Sequence, residues 1–428
     1  MKRHSAPYRR PVSMLSDRTS AMLLAAIALL AVIVRLAAAF VLKQPLESDP
    51  LSYFTMAQGL AERGELLDLY GQHAFFSAGY PLLLTPFFAL LGSSVAVALG
   101  VNMLLAVVST VLIHRLTLAL SDNRWAGLLA SLAYALWFPG IWNATMLAKE
   151  NLSTPLLIGL ALCAVRVARD ERPIGAALIA GLLWGASLVT GGSTLLLCAG
   201  MGVALLILWR ARGSFIPALG GGLCFVAGAA LILAPWLHAT NQMVGRPILT
   251  TNAAFNLYLG NNPAATGKFV SISDTPLAKD WEATRLRLGE TGNADRLQAE
   301  AIRWIGENPR RAAELAALKL VYFWQPNIPD AADFAASKAV SSIRLFEVAQ
   351  YGLILVFGLL AFRSPLIASD GKWIFAAMIA GFWLIHAAAY IIIRYRDPAI
   401  PLLIAMAAIP VAAWLQQRAA RRNVLHAA

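Results

Sequence analysis

Ten runs of apolar residues alternate with polar segments along the chain. They lie at residues 21–42, 93–118, 125–141, 152–167, 174–189, 194–209, 215–237, 345–362, 373–393 and 398–415. A helix needs about 20 apolar residues to cross a bilayer. Because backbone groups in lipid must be paired within the protein, helices are the expected form of such runs. The pattern therefore predicts an all-α, polytopic transmembrane bundle of about ten spans.

Two longer mixed segments interrupt this pattern, at residues 43–92 and 238–341. They divide the chain into an N-terminal transmembrane module (1–237, which includes the first segment), a polar loop region (238–341) and C-terminal transmembrane helices (342–428). We expect both segments to carry interfacial helices, because apolar or amphipathic stretches too short to span a bilayer lie along its surface.

Local signals place helices within these two segments. In the first, Asp49 and Pro50 predict a helix start and Gly64 its end. Residues 80–92 are apolar but too few to span, so they predict an interfacial or re-entrant helix. In the second segment, 251–267 predicts an ordered loop, and 276–324 predicts two helices broken near Asn308 and Pro309.

Composition supports a membrane protein and excludes two other classes. Hydrophobic residues make up 59% and charged residues 14%, whereas soluble domains have about a quarter charged residues and disordered chains have low hydrophobicity. The net charge is +12, from 35 Lys and Arg against 23 Asp and Glu. An excess of positive charge is compatible with a nucleic-acid partner, but the distribution of the basic residues argues against one.

The basic residues cluster in short segments between apolar runs. These clusters lie at 2–18, 124, 166–172, 210–212, 363–372 and 418–422. Positive residues in short loops mark the cytoplasmic side, so both termini are predicted to be cytoplasmic and the two long segments external. The positive charge is therefore a signal of membrane topology. We expect membrane lipids to surround the protein and no nucleic acid to bind it.

Chemistry-bearing residues concentrate on the predicted outer side. Asp49 and Tyr53 are four residues apart and share a helix face; Asp49 can cap the helix, act as a general base or bind a divalent cation such as Mg²⁺ or Mn²⁺. Lys149 and Glu150 have two interpretations. They form a snorkelled ion pair at the end of a membrane helix, or Glu150 faces a cavity opposite Asp49. Arg35, inside the first run, either snorkels outward or lines that cavity.

Two further sets have both a structural and a binding interpretation. Arg394 and Arg396 break the positive-inside trend. They are either interfacial anchors or ligands of a phosphate, which arginine binds in a bidentate manner. The second set offers amides and a phenol that suit sugar hydroxyls, but its sequence also forms turns readily. Its candidate residues are Asn256, Tyr258, Asn261 and Asn262.

Taken together, these motifs resemble those of bacterial C-type glycosyltransferases, in particular the protein mannosyltransferase and aminoarabinose transferase group. The resemblance covers most of the chain. Its carriers are Asp49 with Tyr53, Gly79-Tyr80-Pro81, Lys149-Glu150-Asn151-Leu152, Asn256 to Pro263 with Thr266-Gly267, and Arg394-Tyr395-Arg396-Asp397-Pro398.

This resemblance implies the C-type glycosyltransferase fold and a bacterial inner-membrane enzyme. Such an enzyme transfers a sugar from a polyprenyl-phosphate donor to a lipid, glycan or protein acceptor at the outer face, usually with inversion. Asp49 and Glu150 would be the catalytic acids, with Asp49 acting on the acceptor or on a metal. Arg394 or Arg396, with Lys149, would hold the lipid phosphate. Many relatives carry two adjacent acids where this chain has Asp49 followed by Pro50, so Glu47 is a further candidate.

Two other functions compete with this one. A transporter or flippase of a lipid-linked sugar would keep ionisable groups near the membrane midplane, whereas most here lie at the predicted outer rim. A non-catalytic assembly subunit would tolerate Asp49→Asn without a change in transfer.

Overall fold

The computed structural model describes residues 15–427, and these residues are almost entirely helical. The only β pairing among them is an isolated parallel bridge between Lys268 and Ile391. The helices are α1 (Asp17–Leu42), α2 (Ser48–Arg63), α3 (Gly79–Leu91), α4 (Val95–Ser121), α5 (Arg124–Ala135), α6 (Phe138–Ala144), α7 (Glu150–Ala168), α8 (Pro173–Thr190), α9 (Cys198–Arg212), α10 (Ile216–Val244), α11 (Asn252–Gly260), α12 (Trp281–Glu307), α13 (Pro309–Trp324), α14 (Ala331–Ala336), α15 (Lys338–Ala361), α16 (Ser369–Ile385) and α17 (Ile400–Ala427).

The predicted all-helical, multi-span architecture is confirmed. Eight described helices are long and apolar enough to cross a membrane, and the bent pair α5 and α6 makes a ninth. The remaining predicted span, residues 373–393, corresponds to α16, which has 17 residues and packs against α9 and α7. Short helices of this kind are accommodated in a bundle when their neighbours cover their ends.

The order of the helices separates two ends of the bundle. The segments that hold α2, α3 and α11 to α14 lie at one end, called here the loop end. The starts of α5 and α8 and the ends of α9 and α17 lie at the other, the basic end, where Arg212 donates to Asp170 at 2.6 Å and Arg124 pairs with Asp17. The predicted basic cluster at Lys2, Arg3, Arg9 and Arg10 lies outside the described residues.

At the loop end, several predicted boundaries agree with the structure and others need correction. Helix α2 ends at Gly64, whose φ of 72° suits glycine, and α12 and α13 break at Asn308. Helix α3 is the short apolar helix expected after residue 79. Asp49, however, does not cap α2, because the cap position is Glu47.

The segment predicted as an ordered loop contains a helix, α11. It forms because its apolar face packs on α12, where Tyr258 and Leu259 join a buried cluster with Leu297 and Ala301. Tertiary burial of this kind overrides the weak helix propensity of asparagine-rich sequences. The transmembrane helices also extend past the predicted loop boundaries, since α10 continues to Val244 and α15 begins at Lys338.

Arg35 neither snorkels outward nor lines a cavity. Its side chain is fully buried and donates to the carbonyl of Ala135 at 2.9 Å and of Tyr134 at 3.4 Å, with the Tyr134 ring 5.3 Å away. These carbonyls lie at the 54° bend between α5 and α6, where the helical ladder stops. A helix end in the membrane needs such partners, and a cation suits its negative dipole. Arg35 therefore stabilises the broken span.

Replacing Arg35 tests this role. We expect Arg35→Met to lower the free energy of unfolding by about 1–3 kcal/mol, because two buried carbonyls lose their donor. The measurement is the thermal unfolding of the purified protein in detergent. The matched control is Arg18→Met, at an exposed position of the same helix. Equal melting temperatures for the two variants would contradict the assignment.

Candidate functional site

Arg394 joins two acidic residues that are far apart in the sequence. It lies in a 3₁₀ turn, Ile393–Ala399, that leads into α17. Its Nη2 donates to Asp49 Oδ2 at 2.5 Å, and its Nε lies 3.9 Å from Glu150 Oε1. Nε is buried and has no hydrogen-bond partner among the described residues. The turn, α2 and α7 thus meet at one charged cluster at the loop end.

The two carboxylates occupy different environments. Asp49 lies in the first turn of α2, directly after Ser48, whose φ of 52° is unusual for a residue with a side chain. Such strained positions concentrate at functional sites. Glu150 is the first residue of α7 and is 7% exposed. A carboxylate at this position lies next to the positive end of the α7 dipole.

Tyr53 and Lys149 complete the lining of a small cavity around this cluster. The cavity has a volume of about 10 Å³, enough for one water molecule, and is shared by Asp49, Glu150 and Arg394. The Tyr53 ring packs edge-on against Tyr80 at 5.8 Å. Burial raises the pKa of Tyr53 well above its usual value, and the nearby Asp49 and Glu150 carboxylates raise it further. Tyr53 therefore presents a neutral phenol.

Buried amides hold the backbone around this cluster. Asn102 accepts from the Tyr80 hydroxyl at 2.6 Å and donates to the carbonyls of Ala144 and Met146. Asn143 donates to Asp397 at 3.1 Å, which ties α6 to the Arg394 turn. Asn102 is not among the site residues predicted from the sequence. A polar residue inside the apolar run of α4 was the available signal for Asn102, because such residues are rare in membrane helices without a role.

A larger cavity opens beside the cluster. It has a volume of about 440 Å³ and is mostly apolar, and Arg394 lies in its wall. Its walls come from the end of α1, from α6, from the start of α15 and from the Arg394 turn. The polar members are Gln44, Asn143, Asn327, Arg344, Glu347, Arg394 and Asp397, and the apolar ones include Leu42, Phe138, Trp142 and Ile343. Sequence reasoning missed Arg344, which pairs with Asp333 at 2.7 Å.

The two other predicted phosphate ligands differ in availability. Lys149 is partly exposed, and its ammonium lies beside Gly191 and forms no ion pair within the described chain. Arg396 is buried, donates to the carbonyls of Gln325 and Phe323, and stacks on Tyr351 with 3.8 Å to the ring centre. Arg396 thus anchors α13 to the bundle, which leaves its guanidinium little capacity for a ligand.

The candidate sugar-binding residues are largely used inside the protein. Asn261 donates to the carbonyls of Leu257 and Ala388 and accepts from Lys319 at 3.2 Å. Asn262 donates to Tyr258 and Leu259 and accepts from the amide of Ala264. Asn256 donates to Asn252 at 2.5 Å, and Tyr258 is buried against α12. The motif holds the loop end together, and its role in sugar binding stays a prediction.

The residues at the cluster do not match a divalent metal site. No group of three or more His, Cys, Asp or Glu side chains with suitable geometry occurs in residues 15–427. Asp49 and Glu150 instead share one guanidinium, which supplies positive charge where a cation would need the same oxygens. Mg²⁺ and Mn²⁺ prefer several oxygen ligands, whereas these two carboxylates already contact the Arg394 guanidinium.

The fold is shared with solved oligosaccharyltransferase structures. The structure is similar to the Archaeoglobus fulgidus oligosaccharyltransferase in its apo form, with a TM-score of 0.57 and 12% identity over 96% of this chain and 52% of that one. AglB from the same organism, in complex with an inhibitory peptide and a dolichol-phosphate, gives 0.54 and 14% identity over 95% and 52%. The chain thus spans about half the length of these relatives.

A further solved structure is less similar to this chain. ArnT from Cupriavidus metallidurans, bound to undecaprenyl phosphate, gives a TM-score of 0.44 and 12% identity over 87% of this chain and 77% of that one. No family model matches the sequence, and no curated protein matches it. The fold assignment rests on the oligosaccharyltransferase structures.

Lys319 generates a prediction about stability and pH. It is fully buried, and burial lowers its pKa to about 8. The pKa of a lysine in an unfolded chain is about 10.4. Between these values the unfolded chain binds more protons, so this residue's contribution to stability becomes more favourable as pH rises. We expect the melting temperature of the wild type to rise relative to Lys319→Met between pH 7 and pH 10.

The control for this prediction is Lys279→Met, at an exposed position near the start of α12. Its melting temperature should follow that of the wild type across the same pH range. A constant difference between the wild type and Lys319→Met would contradict the lowered pKa.

Proposed function

We propose that this protein is an integral-membrane glycosyltransferase that moves a sugar from a polyprenyl-phosphate donor to a lipid, glycan or protein acceptor, with inversion. The observation that carries the proposal is Arg394, which has a buried, unpaired Nε, contacts two carboxylates and lies in the wall of the 440 Å³ cavity. A buried donor without a partner calls for an acceptor, and a lipid phosphate supplies acceptor oxygens.

The shape of the cavity fits such a donor. Its apolar wall, formed by residues such as Leu42, Trp142 and Ile343, suits a polyprenyl chain, and Arg394 and Arg344 suit the phosphate. The dolichol-phosphate in the AglB complex is a lipid of this class, which adds support through the shared fold. Lys149, at the neighbouring small cavity, is a third cation within the same region.

The proposed transfer step uses the cluster in a defined way. The acceptor oxygen or nitrogen forms a bond to C1 of the sugar, the bond from C1 to the phosphate oxygen breaks, and the lipid phosphate leaves. The acceptor proton passes to Asp49, the candidate general base, with Glu150 as the second acid. Arg394 stabilises the charge that develops on the phosphate. As it turns toward the phosphate, its contact with Asp49 weakens, which frees the carboxylate oxygen to accept the acceptor proton.

We further propose that transfer occurs at the outer face of a bacterial inner membrane. The basic end carries the arginines of the short connections, which the positive-inside rule assigns to the cytoplasm. The loop end, with the Arg394 cluster, would then face outward, and both termini would be cytoplasmic. The cluster's place at the end of the bundle also favours an enzyme over a flippase, for which midplane ionisable groups are expected.

Substitutions at the cluster test the catalytic assignment. In proteoliposomes supplied with a panel of polyprenyl-phosphate sugars, we expect Asp49→Asn to lower kcat by 10²–10⁴-fold, the range typical of a lost general base. The control is Glu47→Gln, since Glu47 is exposed and outside the small cavity. If Asp49→Asn retained full activity, the base assignment would fail. If the folded wild type turned over no donor in the panel, the enzyme proposal would fail.

Arg394 should affect donor binding as well as turnover. We expect Arg394→Ala to weaken the binding of unreactive polyprenyl phosphate at least tenfold, because a charge-assisted contact is lost. Asp49→Asn should bind it as tightly as the wild type or more tightly, since it leaves the guanidinium free. Unchanged lipid-phosphate binding in Arg394→Ala would show that the phosphate lies elsewhere.

Metal removal supplies an independent test. Because the oxygens of Asp49 and Glu150 face the Arg394 guanidinium, we expect transfer to persist in excess EDTA and to be unaffected by added Mg²⁺ or Mn²⁺. The measurement is the initial rate of transfer in protein first freed of metals. Loss of activity on chelation, with recovery on adding Mn²⁺, would overturn the interpretation of the Arg394 bridge.

A further inference from the structure

A second cavity lies next to the apolar cavity, at the residues that directly precede Arg394. It has a volume of about 320 Å³. Asn327 and Ile393 line both cavities, so these two residues form part of the wall between them. Ile393 directly precedes Arg394 in the chain. A molecule in the second cavity would therefore lie next to the cluster without competing for the space proposed for the lipid.

The backbone around this cavity is held by specific contacts. The Ile391 amide donates to the Gly267 carbonyl at 3.0 Å, within the single parallel bridge between Lys268 and Ile391. Gly267 has a φ of 90°, and a Cβ there would lie 3.2 Å from the Tyr322 ring. Only glycine fits both restraints easily. The cavity wall is thus a built feature that connects the end of α13 to the segment before Arg394.

The lining has a distinctive chemical character. The aromatic residues Tyr322 and Phe269, the latter exposed, line the cavity, and the side-chain amides of Gln325 and Asn327 have no hydrogen-bond partners within the described chain. The Lys268 ammonium lies 5.1 Å from the centre of the Tyr322 ring and forms no ion pair among the described residues. No acidic side chain lines the cavity. Free amides match hydroxyl groups, and an unpaired ammonium attracts an anion.

We propose that this cavity is the acceptor subsite and that it takes a carbohydrate bearing a carboxylate or a phosphate. The sugar ring stacks on Tyr322 or Phe269, its hydroxyls bond to Gln325 and Asn327, and its anionic group pairs with Lys268. The inference rests on the proposed transferase function and specifies its acceptor class. The acceptor hydroxyl then reaches the sugar of the donor past Ile393, and the transfer step itself is the one described above.

Binding without turnover tests the proposal. The probes are trigalacturonic acid, neutral maltotriose and a tripeptide of aspartate, titrated into the purified protein by calorimetry at low salt. We expect trigalacturonic acid to bind at least tenfold more tightly than either of the others, since it alone combines ring stacking with negative charge. Equal binding of the acidic tripeptide, or of maltotriose, would overturn the assignment of an anionic carbohydrate.

Matched variants locate the binding. Lys268→Gln should weaken trigalacturonic acid binding about tenfold and leave maltotriose binding unchanged, Lys268→Arg should restore the affinity, and Tyr322→Leu should weaken both sugars. The control is Lys279→Gln, at an exposed lysine that does not line the cavity. Unchanged affinity in Lys268→Gln would overturn the proposal.

The failure of this proposal can be separated from failure of the transferase function. If trigalacturonic acid binds at Lys268 but no polyprenyl-phosphate sugar is turned over, the binding site stands and the transferase function fails. If transfer occurs and Lys268→Gln changes neither trigalacturonic acid binding nor the KM for the acceptor, the subsite fails and the transferase function stands.

Discussion

The contact of Arg394 with Asp49 and Glu150 is the interaction on which the site depends. Asp49 and Arg394 are separated by 345 residues, and Glu150 belongs to a third segment. Partly buried charges at the edge of a membrane bundle are costly unless they are paired. The pairing of Arg394 with the two carboxylates therefore fixes the relative positions of α2, α7 and the turn before α17. Within this arrangement the Arg394 Nε makes no hydrogen bond in the described part of the chain.

The surrounding bundle supports this contact through polar groups that lie within it. Asn102 holds the turn before Glu150, and Asn143 holds Asp397, three residues after Arg394. Arg35 acts further away, because it supplies donors to the carbonyls at the bend between α5 and α6, and α6 carries Asn143. In lipid an unpaired backbone group costs several kcal/mol, so such partners determine where a helix can break.

The two cavities near the cluster differ in chemical character. One is mostly apolar and lies against α1, α6 and α15, whereas the other carries free amides and an ammonium beside α13. Asn327 and Ile393 line both, and Arg394 follows Ile393. A lipid-linked donor and a polar acceptor have opposite solubilities, so a transferase needs two such neighbouring environments. Arg394, which lines the apolar cavity, is the residue that contacts Asp49 and Glu150.

Hydropathy in the sequence was sufficient to predict the membrane class and a bundle of about ten spans, because long apolar runs have few alternatives in lipid. The Asn308-Pro309 pair predicted the break before α13. The hydropathy pattern also identified Asp49, Glu150 and Arg394 as candidates, because charges beside apolar runs are conspicuous. The helix α11, the burial of Arg396 and the role of Arg35 were not predictable, since each depends on side chains from distant segments. A one-dimensional pattern records where a charge occurs but not which partner neutralises it. Only the tertiary structure decided that Arg394 is shared between two acids, while Arg396, two residues away, is committed to the protein's own carbonyls.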